Sequence, residues 1–416
     1  MRYILVLFIV FLIIGTMYGQ EKIIKNLTLN EAINIGLKNN PTVKSASESI
    51  SAAKGRFLSG ISLPQPEISY DNQWIPTGKS LGSFSEKTFS ISQAFEFPSI
   101  YFLKGNKFSK AEEITIIQLN FIEKNLIKQI KTAYFKVLLR QYQVKSAEEN
   151  LTISDDFFKK ARIRFNVGEG TNLEVLTAKV HNSEARNSLE ISKNELKTAL
   201  AEFSFILGYG KQEYDSSFNL VDSLTFVNYE KNIENISDYE ANPLIKIAEL
   251  NTEIALIEKS MATSSYLPKF NLAYLMQSRD NINSYNGASV GISVPLWFLF
   301  EQKGRVQEAS SNLSISQFEL QQIKNSTALK LKNAVTDFEN NLKQVNLYKK
   351  EILPQSDEIF RTALKSYDAG EITYLEYLQA KQTLIGSRNN YNNSLFNYYQ
   401  SLFMIEEIIG QNIISK

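Results

Sequence analysis

A stretch of sequence that occurs twice constrains this chain more than any other feature. Ala161, Gly168, Glu169, Thr171, Leu173, Glu174, Leu176, Ala178 and Lys179 recur without a gap as Ala363, Gly370, Glu371, Thr373, Leu375, Glu376, Leu378, Ala380 and Lys381. Asn40-Pro41 recurs as Asn242-Pro243 in the same register, and Leu63-Pro64 as Leu267-Pro268 two residues out of it. A spacing of about 200 residues means that one structural unit is built twice. The chain therefore divides into a first repeat over 20–208, a connecting segment over 209–240 that is rich in turn formers and is expected on the outside, and a second repeat over 241–416.

Each copy reads as helix, strand, loop, strand, long helix, turn and return helix. Thr28 followed by Glu31 predicts a capping box ahead of the apolar face Leu29, Ala32, Ile33, Ile35 and Leu37. From Lys87 to Phe97 the chain alternates, with Phe89, Ile91, Gln93, Phe95 and Phe97 on one face and small or polar residues on the other. That period of two is a strand with an apolar side. With Glu67 to Trp74 it makes a hairpin over about 64–97. The second copy repeats the hairpin over about 268–297, with a polar loop expected around Asp280 to Asn286.

The helix after each hairpin is too long for an ordinary globular domain. From about 99 to 165 there is no proline, and at about 1.5 Å per residue the segment reaches about 100 Å. Val137, Val144, Leu151, Phe158 and Phe165 recur every seven residues, with Ala133, Ala147, Ser154 and Ala161 offset as a second seam of small residues. The matching rod runs over about 302–367, and Pro354 should bend or loosen it. Gly168 and Gly370 end the rods, and return helices run over about 171–207 and 373–409. Thr171 with Glu174 and Thr373 with Glu376 predict capping boxes at their starts.

Composition narrows the function. A net charge of +1 gives no bulk attraction for nucleic acid, and the absence of cysteine excludes disulfides and a lipidated cysteine anchor. Arg2, the apolar run Ile4 to Ile14 and the small or polar stretch to Gln20 predict a secretory signal peptide over 1–19, too short for a spanning helix. His181 is the single histidine, the methionines are scattered, and no nucleophile elbow, phosphate loop or zinc-protease motif occurs. The expectation is a chain with no catalytic residues, no cofactor and no metal site.

A lone hairpin cannot cross a membrane, because its edge N–H and C=O groups would lie unpaired in hydrocarbon. Membrane barrels begin at about eight strands, so chains donating four strands must pool them. Two chains would give eight strands and three would give twelve, and this arithmetic does not choose between them. Tyr70, Trp74, Tyr274 and Trp297 sit on or beside the strands, where aromatics at a membrane interface belong.

Leu27-Thr28-Leu29-Asn30-Glu31-Ala32-Ile33, Asn39-Asn40-Pro41, the two Gly-centred turns and Ile352-Leu353-Pro354 resemble the TolC outer-membrane efflux family over nearly the whole mature chain. The resemblance implies a mostly α fold with a small β part. Long antiparallel helical hairpins would form an α-barrel, and two β-hairpins per chain would enter a shared trimeric 12-stranded transmembrane β-barrel. It implies an outer-membrane location with a long periplasmic extension. Its implied partners are a homotrimer, outer-membrane lipid, a periplasmic adaptor (membrane fusion) protein and an inner-membrane pump of RND, ABC or MFS type. The implied role is a passive duct for tripartite efflux or type I secretion, with heavy-metal export as a variant within the family. In that family acidic rings narrow the periplasmic entrance. Glu376 stands at the first ring position, Gln379 where a second acid often lies, Glu174 at the equivalent place in the first copy, and Tyr367 where a hydroxyl links the hairpins. Ile372 replaces a frequent arginine, which implies a weaker or different latch. The competing reading is an exported coiled-coil structural or adhesive protein that never enters a membrane.

Overall fold

The computed structural model describes residues 25–414 apart from 81, 84, 211–217, 234–238, 280–281 and 297–299, so the expected signal peptide and Trp297 lie outside the described residues. The first copy opens with strand β1 (Lys25–Leu27), helix α1 (Leu29–Asn39) and helix α2 (Pro41–Gly60). It continues with strands β2 (Glu67–Gln73) and β3 (Glu86–Phe95), the rod α3 (Pro98–Asn166) and its return α4 (Asn172–Ile206). A short strand β4 (Phe218–Leu220) and a single turn Glu230–Ile233 lead to the second copy. There α5 (Pro243–Ser264), β5 (Lys269–Arg279) and β6 (Ile282–Ser293) precede the second rod, α6 (Glu301–Leu347) and α7 (Leu353–Asp368), and the return α8 (Tyr374–Ile409). At 69 residues, α3 is about 100 Å long.

The caps are where the local sequence places them. Thr28 accepts from the Glu31 N–H while Glu31 accepts from the Thr28 N–H at 2.9 Å. Asn40 and Asn242 act as twin N-caps. Each accepts from the N–H two residues on, and each donates through Nδ2 to the end of its own return helix, at Ile206 O (2.9 Å) and Ile408 O (2.8 Å). The second rod does not run as one α-helix. Between α6 and α7 it widens into a π-turn, Tyr348–Ile352, just ahead of Pro354, whose missing N–H breaks the ordinary ladder.

Three apolar clusters hold the hairpins together. One joins α1, α2 and the first hairpin around Ile130, Tyr134 and Phe203, and one joins α6 and α8 around Phe338, Tyr398 and Phe403. The third lies near the turns, where Phe157 meets Tyr374 and Tyr377. A buried ion pair ties α3 to α8, Lys131 to Glu406 at 2.7 Å. The other Glu406 oxygen takes the N–H groups of Ile413 and Ile414, both at 2.8 Å, so the buried carboxylate is fully hydrogen-bonded.

Three features differ from the sequence reading. Both seams expected on α3 turn inward along most of the rod, with Val137, Ala133, Ala147, Ser154 and Ala161 buried and Val144, Leu151 and Phe158 half-buried, but Phe165 at its end is 43 % exposed. The large stripe comes out only where the rod nears its glycine turn. The polar stretch expected as a loop is largely strand: β6 begins at Ile282, and Tyr285 and Asn286 pair with Gln277 and Met276. Polar side chains there do not stop the backbone from pairing. Finally, the connecting segment does not merely lie outside. Strand β4 pairs in parallel with β1, and Phe218, Leu220 and Ile233 are buried in the cores.

Candidate functional site

Strands β2, β3, β5 and β6 form one antiparallel sheet in that order. Partners across a ladder share a face, so the register shows what each face carries. Ile68, Ile91 and Tyr274 lie in one row, Tyr70, Phe89 and Met276 in a second, and Phe95, Phe270 and Ile292 in a third. The rows between them hold Glu67, Ser92, Ala273 and Ser289, then Ser69, Ser90 and Leu275, then Asp71, Thr88 and Gln277. On this polar face Ser69 bonds Ser90 at 2.8 Å, and Gln277 bonds Glu86.

The apolar face has no cover among the described residues. Ile68 is 63 % exposed and Ile292 62 %, and Tyr70, Tyr274 and Val290 stand out beside them. Trp74 follows β2 at a positive φ of 59°, with its ring exposed. A contiguous apolar face of this kind marks a surface that does not meet water in the working state. Strands β2 and β6 are the two edges of the sheet and pair with no further strand among the described residues. None of the described helices is long and apolar enough to cross a membrane.

The opposite end is built by the two glycine turns. Gly168 (φ 83°) and Gly370 (φ 75°) are left-handed, and the N–H groups that follow them return to Arg164 O at 2.9 Å and Ser366 O at 2.8 Å. Nothing lies within 4 Å of the place a Cβ would take at either glycine, so backbone conformation, not space, selects them.

Both return helices then start in capping boxes. The Glu376 carboxylate accepts the Thr373 N–H at 2.7 Å and the Thr373 hydroxyl at 2.8 Å, which holds it below the usual carboxylate range. In the first copy Glu174 takes the Thr171 N–H at 3.4 Å. Glu376 and Gln379 are exposed and line a groove of about 820 Å³ between α7 and α8, with Glu358, Ile359 and Ile372. Tyr367 lies under this tip, stacked on Tyr377 and 6.2 Å from Phe157. Its ring therefore bridges the two helical hairpins, since Phe157 belongs to α3.

One residue at the tip carries no local sequence signal. Lys381 is 3 % exposed, its Nζ lies 3.4 Å from the Asn150 carbonyl, and burial lowers its pKa to about 8. Its repeat counterpart Lys179 is exposed, and His181 pairs with Glu184 at 3.0 Å. No cluster of metal-ligating side chains occurs among the described residues.

A sheet with one bare apolar face, carried on helical rods of about 100 Å, defines a barrel-forming membrane protein with a long water-side extension. The model of the outer membrane efflux protein family matches residues 118–209 and 239–411, and the chain belongs to that family. The cobalt-zinc-cadmium resistance protein CzcC of Cupriavidus metallidurans is 22% identical over 392 residues, covering 92% of this chain and 90% of CzcC. The outer-membrane channel OprN superposes with a TM-score of 0.79 at 16% identity, covering 92% of this chain and 90% of that one. The outer membrane protein VceC of Vibrio cholerae gives 0.77 at 14% identity, covering 92% and 96%. The chain is thus an efflux-channel protein of the outer membrane, with its helices in the periplasm.

Proposed function

We propose that three copies of the chain close their sheets into one 12-stranded barrel and align their hairpins as a periplasmic tube. The assembly is a passive exit duct for substrates delivered by an inner-membrane pump through a periplasmic adaptor. The observation that carries this reading is the sheet register: apolar rows face one way, small polar rows the other, and edges β2 and β6 await strands from neighbours. In lipid those edges have no water to bond, so closure is obligatory. Tyr70, Trp74 and Tyr274 then belong to the interfacial belt, and Glu174, Glu376 and Gln379 to the entrance, with Tyr367 holding the hairpins together behind them. Purified protein in planar bilayers should form discrete conducting pores and fractionate with the outer membrane as an oligomer. A monomer that leaves bilayers silent would defeat the proposal.

A metal-exporting role is the second reading, supported by the resemblance to CzcC over nearly the whole chain. It predicts that deleting the gene sensitises cells to cobalt, zinc or cadmium. Unchanged metal tolerance alongside raised sensitivity to organic compounds would reject it.

A further inference from the structure

The bare face of the sheet is apolar along most of its length and changes character at one end. The row Phe95, Phe270 and Ile292 stands next to the rods, which begin at Pro98 and Glu301. Away from the rods come Gln93, Leu272 and Val290, then Ile68, Ile91 and Tyr274, then Tyr70, Phe89 and Met276. The next row is Asn72, Lys87 and Ser278. Among the described strand residues Lys87 is the one charged group on this face. The carboxylates of the sheet, Glu67, Asp71 and Glu86, belong to the rows of the opposite face, and Lys87 has no acidic partner among the described residues.

Strand geometry fixes its depth. From Phe95 to Lys87 is about 27 Å along the strand, and at a barrel tilt of about 40° that is about 20 Å across the membrane. An apolar band is about 25 Å tall, so with Phe97 below it Lys87 falls at the far rim. The rods occupy the periplasm, so this rim meets the outer leaflet. Asn72 pairs with Lys87 across the ladder, and its side-chain oxygen has no hydrogen-bond partner among the described residues. The amide can therefore turn toward a second molecule.

We infer that Lys87 and Asn72 hold the headgroup of a phosphate-bearing glycolipid of the outer leaflet, whose acyl chains lie on the rows from Phe89 to Phe95. This inference rests on the shared-barrel reading and names the lipid at its outer rim. Charge complementarity selects the occupant. An ammonium at the edge of a low-dielectric layer, with no carboxylate beside it, is answered by an anion whose own chains already lie in that layer. Phosphate offers the acceptors that an ammonium requires, and sugar hydroxyls offer donors and acceptors to the Asn72 amide. A lysine that merely reached past the rim to water, as long side chains at interfaces do, would distinguish no lipid from another.

The test uses the oligomer extracted in mild detergent, stripped of lipid, and mixed with lipid A carrying its phosphates or with the same lipid dephosphorylated. Native mass spectrometry should show the phosphorylated form retained about fivefold more strongly, up to one molecule per chain. Lys87→Gln should abolish the preference and Lys87→Arg should keep it. Lys79→Gln, which changes an exposed lysine beyond the strands, should leave it untouched. An intact oligomer that retains both lipids equally, or a preference that survives Lys87→Gln, overturns the inference and leaves the duct standing. A chain that is monomeric by size in lipid overturns both.

Discussion

Lys381 places a charge where no carboxylate answers it. The acids on the neighbouring helices are engaged elsewhere: Asp155 by Asn182 and Arg186, Asp156 by Lys160, and Asp357 by Arg361 and Arg388. Burial lowers the Lys381 pKa to about 8 from an ordinary value of 10.5, so the folded seam binds its proton less tightly than the unfolded chain does. The cost is full below about pH 8 and disappears as pH rises toward 10.5. Lys381→Met should therefore stabilise the hairpins at pH 7 by about 1–3 kcal/mol. Melting temperatures of the two proteins should converge between pH 8 and 10.5, and a constant gap across that range would refute the assignment. Thr373 gives the opposite sign: Thr373→Ala removes the acceptor for the Glu376 N–H and should cost about 1 kcal/mol, read as faster hydrogen exchange in the first turn of α8. The caps were legible because both partners lie within four residues. Lys381 and the Lys131–Glu406 pair were not, because their burial depends on helices far apart in the chain.

Among the elements, the sheet has the most to gain from its surroundings. Phe89 and Ile292 stand on the bare apolar face, 40 % and 62 % exposed. Phe89→Lys or Ile292→Lys should cost about 2–4 kcal/mol near mid-membrane and block insertion. Helical circular dichroism should remain, because the rods fold around their own cores. Variants that still insert would favour the coiled-coil adhesive reading instead. The rods and hairpins were readable from periodicity, since seven-residue and two-residue spacings persist over many residues in α3 and β3. Strands β1 and β4 were invisible at three residues each, which is too short for any period to register. The polar run before Val290 suggested a loop because strand signals come from side chains, whereas pairing is made by the backbone. Pro354 did announce a break in the second rod, but not that the break would take the form of a π-turn.

For the whole molecule, the number of chains turns a modest local feature into a field. Glu174 and Glu376 each sit in the first turn of a return helix, and a ring of three chains would repeat both around one axis. Six carboxylates near a narrow entrance raise the local concentration of cations and repel anions. The pore should accordingly be cation-selective in a potassium chloride gradient. Glutamine at the third helical position still completes a capping box, so Glu174→Gln with Glu376→Gln removes charge while sparing the fold. That double variant should lose more than half of the reversal potential at unchanged oligomer size, and salt at about 1 M should suppress the wild-type preference in the same way. A reversal potential that is indifferent to both changes would place the selecting charge elsewhere, on the polar rows of the sheet that hold Glu67, Asp71 and Glu86.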